Sequence, residues 1–206
     1  MARPHIQTPH YTYAEYLQIE ADTGIRHEFL AGQIFAMAAG TFHHAILSTQ
    51  VATLLNVALG RGPCQAIGSD LKLRIDSEDV ALYPDVSVHC SEVQPSPTDK
   101  NAATAPKVII EVLSSSTETY DRGEKFDFYK RIPELCEYVL ISASRKKVEV
   151  YQRQPEGRWL LTDAGPGGQV VLPSLEVSFS VDDLYERVTL EASARVLGSR
   201  PDSQPN

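Results

Sequence analysis

The stretch Lys107-Val-Ile-Ile-Glu-Val-Leu113 constrains the fold more than any other part of the chain. Apart from Lys107 and Glu111 it is wholly apolar. Runs of this kind are buried on both faces and lie in the middle of a sheet. Glu111 breaks the pattern, because a buried carboxylate is costly unless it is neutral or paired. Strand alternation puts it on the face of Ile109 and Leu113.

The remaining segments supply neighbours for that strand. Thr12 and Glu15 have capping-box spacing, which predicts a short helix through Tyr16, Leu17 and Glu20. Glu28–Met37 reads as a hairpin turning at Ala31-Gly32-Gln33. From His44 to Leu59 the apolar residues recur at helical spacing, and Gly60 and Gly62-Pro63 stop them. Leu71–Ile75 reads as a strand alternating with Lys72 and Arg74, and Leu82–Val88 as another. Residues 91–106, with three prolines, read as a long loop. A helix is expected over Asp121–Arg131 and a central strand over Tyr138–Ile141. A hairpin follows over Val148–Thr162, then a strand pair near Val170–Phe179 and a helix over Val181–Arg187. The order predicts a mixed α/β sheet with helices packed on it. Residues 1–10 are expected to form a flexible arm, 11–190 a single domain and 191–206 a disordered tail.

Asp85 is a second acid in an apolar setting, after Pro84 and before Val86-Ser-Val88. Carboxylates from neighbouring strands repel each other, and a hard divalent cation relieves that repulsion. Mg²⁺ takes one or two carboxylates together with waters and phosphate oxygens, the arrangement of a metal-assisted phosphodiesterase. Lys125 is the candidate cation for the phosphate. On its helix it shares a face with Asp121, Phe128, Tyr129 and Ile132. Each residue has a structural alternative: Asp85 as a loop cap, Glu111 in a structural pair, Lys125 as a solvated helix lysine.

Composition narrows the classes. Nineteen Lys and Arg against 27 Asp and Glu give a net charge of −8, which argues against a surface that grips polyanions throughout. Cys64, Cys90 and Cys136 are odd in number and widely spaced, so neither a disulfide scaffold nor a zinc site is expected. There is no leader-like apolar segment and no run near ~18 apolar residues, so a cytoplasmic protein with no membrane span is expected. No Walker-type or dinucleotide-binding glycine motif occurs.

Pro84-Asp85 followed by Glu111-Val-Leu113 resembles the PD-(D/E)xK nuclease signature. More closely, the chain resembles the Uma-two family of restriction endonucleases. The matching pieces are Arg26-His-Glu-Phe-Leu-Ala-Gly-Gln-Ile34, Phe42-His-His-Ala-Ile46, Tyr83-Pro-Asp-Val86, Val108–Ser114, Tyr120–Tyr129 and Glu137-Tyr-Val-Leu140. The resemblance implies a restriction-endonuclease-like mixed central sheet flanked by helices, and a metal-dependent endodeoxyribonuclease acting on DNA. It implies that Asp85 and Glu111 hold Mg²⁺ or Mn²⁺, with Glu28 as an outer metal ligand. The chain departs from the general signature at Leu113, where that signature carries its lysine. The resemblance implies that Lys125, on the following helix, takes over this role. His44 matches a family histidine of unassigned role. A duplex cutter needs two active sites, which gives an expectation of a homodimer. The alternative is a nuclease-fold binding or regulatory module without catalysis, which the net charge favours.

Overall fold

In chain order the elements are α1 (Tyr13–Thr23), β1 (His27–Leu30), β2 (Gln33–Ala36), α2 (Phe42–Leu59), β3 (Cys64–Gly68), β4 (Lys72–Ile75), β5 (Val80–Leu82), β6 (Val86–Cys90) and β7 (Ala102–Ala103). They continue as β8 (Val108–Leu113), α3 (Glu118–Arg122), α4 (Glu124–Tyr129), β9 (Glu137–Ser142), β10 (Val148–Arg153), β11 (Trp159–Ala164), β12 (Gln169–Leu172), β13 (Val177–Ser180) and α5 (Val181–Leu184). This computed structural model describes residues 9–37 and 40–190. Most of the expected arm and the whole expected tail lie outside the described residues.

Two larger sheets form. One has the order β11-β10-β9-β8-β6-β3, the other β2-β1-β5-β4-β7, and β12 and β13 pair as a hairpin. The apolar stretch behaves as its composition requires. Every residue of β8 is buried, and β8 lies inside the six-stranded sheet, antiparallel to β6 and parallel to β9. Val108, Ile110 and Val112 face a core shared with Leu47, Val51 and Leu55 of α2 and with β13 and α5. Ile109 and Leu113 face a second core with Leu73, Ile75, Val80 and Leu82 of the other sheet, and with Phe126 and Tyr129 of α4. The five-stranded sheet therefore covers one face of the six-stranded sheet, and α2 covers the other. Glu111 emerges between the two sheets.

The local signals explain the ends of the elements. Thr12 and Glu15 form both hydrogen bonds of a capping box, and Gly24 ends α1 in the left-handed region. Ala31 and Gly32 both have positive φ, the backbone of a two-residue hairpin turn. A Cβ at Gly32 would also lie 2.4 Å from the His10 ring, which would have to swing aside.

Three expectations are corrected. Leu82–Val88 is not one strand: β5 and β6 belong to different sheets, and Tyr83-Pro84-Asp85 crosses between them. Pro84 has no N–H with which to continue a ladder, so the pairing breaks there. The Asp121–Arg131 helix is two short helices. Gly123, at ψ −103°, separates α3 from α4, and a Cβ there would meet Thr119 O at 3.1 Å. Between the other strands, Lys72 and Arg74 of β4 are buried where α1 packs on them. Lys72 Nζ pairs with Glu20 (2.8 Å) and Asp99 (3.4 Å), and the Arg74 guanidinium lies 3.9 Å from the Tyr13 ring centroid. Finally, Cys64 and Cys90 are disulfide-bonded, because the β3–β6 register sets them directly opposite each other. Spacing along the chain carries no information on such a cross-strand pair.

His89 is buried on β6, with Nε2 3.1 Å from Ser87 Oγ, and burial pushes its pKa down to about 4. An unfolded histidine titrates near 6.5. As pH falls below that value the unfolded chain gains a proton that folded His89 refuses, so stability drops. The expected loss between pH 6.5 and 4 is up to about 3 kcal/mol from this residue. Urea midpoints across this range should fall less steeply for His89→Gln than for the wild type. Parallel curves would assign the acid sensitivity to other groups.

Candidate active site

The two sheets, the β5–β6 crossing and the α3–α4 pair meet around Glu111. Tyr129 Oη donates to Glu111 Oε1 at 2.8 Å, and Lys125 Nζ lies 2.8 Å from the same oxygen. The Asp85 N–H donates to Glu111 Oε2 at 3.3 Å. Asp85 follows from the sheet break. Where β6 stops pairing, its Oδ2 accepts from the Val112 N–H of β8 at 2.7 Å, standing in for the missing backbone carbonyl. His44 Nε2 lies 3.0 Å from that same Oδ2. His44 is in the first turn of α2, and Thr41 Oγ1 caps that turn by accepting from the His44 N–H. Among the described residues, Asp85 Oδ1 takes part in none of these bonds.

Lys125 sits in a ring of acids. Besides Glu111, its ammonium lies 3.3 Å from Glu28 Oε1 and 3.6 Å from Asp121 Oδ1. The break at Gly123 turns α4 so that Lys125, Phe126 and Tyr129 are buried together. Phe126 stacks on Tyr138 with ring centroids 4.6 Å apart, and Tyr138 Oη donates to the Asp121 carbonyl at 2.8 Å. These contacts hold α3 and α4 against β9. Arg122 is tied to Glu118 and Glu149.

Burial works against the Lys125 charge, but Glu111, Glu28 and Asp121 outweigh it and hold the pKa well above the usual lysine value. Burial pushes the Glu111 carboxyl up, and Asp85 and Asp121 push the same way while Lys125 pulls back. Asp121 is also raised, chiefly by burial. His44 is raised, first through its hydrogen bond to Asp85. Four carboxylates thus face one lysine and one histidine, and two of them are held above their ordinary range. Such a set is short of positive charge, and its oxygen donors suit a hard cation.

The structure brings Asp85, Glu111 and Lys125 together. Glu28 reaches Lys125 rather than completing a cage with the other two acids. Among the described residues no three of His, Cys, Asp and Glu form a ready-made metal cage. Asp85 and Glu111 fit a cation that draws its remaining ligands from water and phosphate, which is how Mg²⁺ is commonly held. Sequence reasoning missed Asp121 and Tyr129 as members of the site. Their i, i+4 spacings from Lys125 were a usable signal, since both share its face.

A mixed sheet flanked by helices, with an acid at a strand break, a glutamate inside the next strand and an inward lysine, defines a restriction-endonuclease-like fold. The Uma2 family, described as "Putative restriction endonuclease", matches residues 13–184, and the chain belongs to that family. It is 36% identical over 185 residues to "Uncharacterized protein slr1290" of Synechocystis sp. (strain ATCC 27184 / PCC 6803 / Kazusa), covering 88% of this chain and 95% of the relative. It is 37% identical over 152 residues to "Uncharacterized protein sll1609" of the same organism, covering 74% and 86%. A crystal structure of "a putative nuclease belonging to DUF820" from Anabaena variabilis ATCC 29413 is similar, with TM-score 0.64 and 21% identity. That match covers 80% of this chain and 92% of the other, and it is a likeness of fold. Among the described residues no helix is long and apolar enough to cross a membrane.

Proposed function

We propose that the protein is a Mg²⁺-dependent endonuclease that hydrolyses phosphodiester bonds of DNA. The observation that carries this reading is the buried Lys125–Glu111 contact of 2.8 Å beside Asp85, within a family described as nucleases. Asp85 and Glu111 would hold Mg²⁺ or Mn²⁺, with Glu28 as an outer ligand. When bound, the ion supplies Lewis acidity that activates water and neutralises phosphate charge. Tyr129 fixes the Glu111 carboxyl through Oε1. The Val112 N–H fixes Asp85 through Oδ2. Lys125 keeps its proton among three carboxylates and supplies the fixed positive charge for orienting water or stabilising the phosphorane.

Two observations favour a second reading, a binding module without turnover. Lys125 is already shared among three acids, and the chain carries a net charge of −8. Calorimetric titration with Mn²⁺ separates the two. The nuclease reading expects a site in the wild type that is lost in both Asp85→Asn and Glu111→Gln. No binding by the folded wild type supports the module.

Association is linked to the substrate. Cutting both strands of a duplex calls for two sites, and a closed two-fold homodimer supplies them. Sedimentation velocity at micromolar concentration should then show a dimer. A monomer would count against duplex cleavage.

A further inference from the structure

Two groups at the site stand side by side without the partners their chemistry calls for. Glu28, on β1, is half-buried, and among the described residues its carboxylate accepts no hydrogen bond; its one charged contact is the Lys125 ammonium at 3.3 Å. The other acids on that ammonium are better anchored. Glu111 also accepts from Tyr129 Oη and the Asp85 N–H, and Asp121 belongs to α3, next to the helix that carries Lys125. Tyr120, also on α3, is the converse of Glu28. Its Oη is buried and, among the described residues, donates to nothing. Its ring stands at the same place, with Lys125 Nζ 5.9 Å from the ring centroid. Burial pushes the Tyr120 pKa up, and the Glu28 carboxylate is the next cause. The hydroxyl and the carboxylate are therefore close enough to act on each other yet are not joined by a hydrogen bond. A buried hydroxyl without an acceptor is costly, so one placed beside a site points to an acceptor that arrives in another state of that site.

We propose that Tyr120 is a positioning residue that draws Glu28 off Lys125 when a phosphate of the nucleic acid enters, so that a phosphate oxygen replaces the Glu28 carboxylate on the ammonium. This rests on the nuclease reading and deepens it. Lys125 is shared among three carboxylates, and an anion reaches it only if one of them gives way. Glu28 is the one least tied. It comes from the hairpin of the other sheet rather than from β8 or the α3–α4 pair, and it gives up a single charged contact on leaving. A carboxylate set loose beside Glu111 and Asp121 needs a donor. The Tyr120 O–H supplies one, and a hydrogen bond to an ionised acceptor is among the stronger kinds. The second Glu28 oxygen stays free for the outer-ligand place. Charge at Lys125 is conserved through the exchange, since one anion leaves the ammonium as another arrives.

A double-mutant cycle read by fluorescence anisotropy tests this, with a fluorescein-labelled oligothymidylate as probe and Ca²⁺ in place of Mg²⁺ to withhold cleavage. Tyr120→Phe should weaken binding by about tenfold or more, as expected for losing a hydrogen bond to a charged group. In the Glu28→Gln background no carboxylate has to be drawn off Lys125, so the same substitution should change binding by less than about twofold. Without nucleic acid, Tyr120→Phe should melt no lower than the wild type, because the hydroxyl bonds to nothing in the free protein. An equal loss in both backgrounds would put the hydroxyl on the nucleic acid itself, and a lower melting temperature would give it a role in the fold; either result would overturn the proposal. So would binding by Tyr120→Phe equal to that of the wild type, or no binding by the folded wild type. Coupled binding without metal-dependent cleavage by the wild type would leave this inference standing and remove the nuclease reading. Cleavage that Tyr120→Phe leaves untouched would do the reverse.

Discussion

Lys125→Ala should abolish cleavage and also destabilise the fold by about 3–5 kcal/mol at neutral pH, the usual cost of removing one partner from a buried ion pair. The structure gives Lys125 a second task as the common counter-ion of Glu28, Glu111 and Asp121. Without it, three buried or half-buried carboxylates face one another. The deficit should shrink on acidification. Glu111 and Asp121 already have raised pKa values, and acids raised in the folded state lose stability as pH increases. Urea unfolding at pH 7 and pH 5 checks this: the gap between Lys125→Ala and the wild type should be smaller at pH 5. Lys125→Arg should also be impaired, because a planar guanidinium does not replace a compact ammonium in this ring. A stable, fully active Lys125→Ala would refute both roles.

Glu111→Gln should behave differently. Its carboxyl is buried and raised by Asp85 and Asp121, so removing the charge relieves repulsion while Lys125 keeps Glu28 and Asp121. The variant should melt within a few degrees of the wild type. It should lose the Mn²⁺ site and cut at least about 100-fold more slowly, as when one preorganised transition-state contact is removed. The two variants share a loss of activity and part on stability. A melting temperature for Glu111→Gln as low as that of Lys125→Ala would show that Glu111 serves the fold rather than the chemistry.

The legible parts of the fold were those written in local chemistry. Thr12 and Glu15 form their capping box, the Ala31-Gly32 turn makes its hairpin, and the apolar residues of 108–113 place β8 inside its sheet. What was illegible depended on partners distant in sequence. The burial of Lys72 and Arg74 could not be read locally, because nothing nearby shows that Glu20, Asp99 and the Tyr13 ring will cover them. The Cys64–Cys90 bond depends on a strand register. The site divides the same way. Glu111 stood out as a charge inside an apolar strand, and Asp85 as an acid after a proline. How Asp85 is held was not legible, because its anchor is the Val112 N–H left open by the sheet break. The ring around Lys125 was half visible in the i, i+4 spacing to Asp121, while Glu28 arrives from a different sheet.

The most direct test uses covalently closed circular DNA, which has no ends and so is opened only by an endonuclease. Single-stranded and duplex circles are incubated with the wild type in Mg²⁺, in Mn²⁺ and in EDTA, with Glu111→Gln prepared in parallel. The account predicts linear product from the wild type in Mg²⁺ or Mn²⁺, none in EDTA and none from Glu111→Gln. Intact circles after incubation with folded wild type in both metals, or equal cutting by Glu111→Gln, would contradict it.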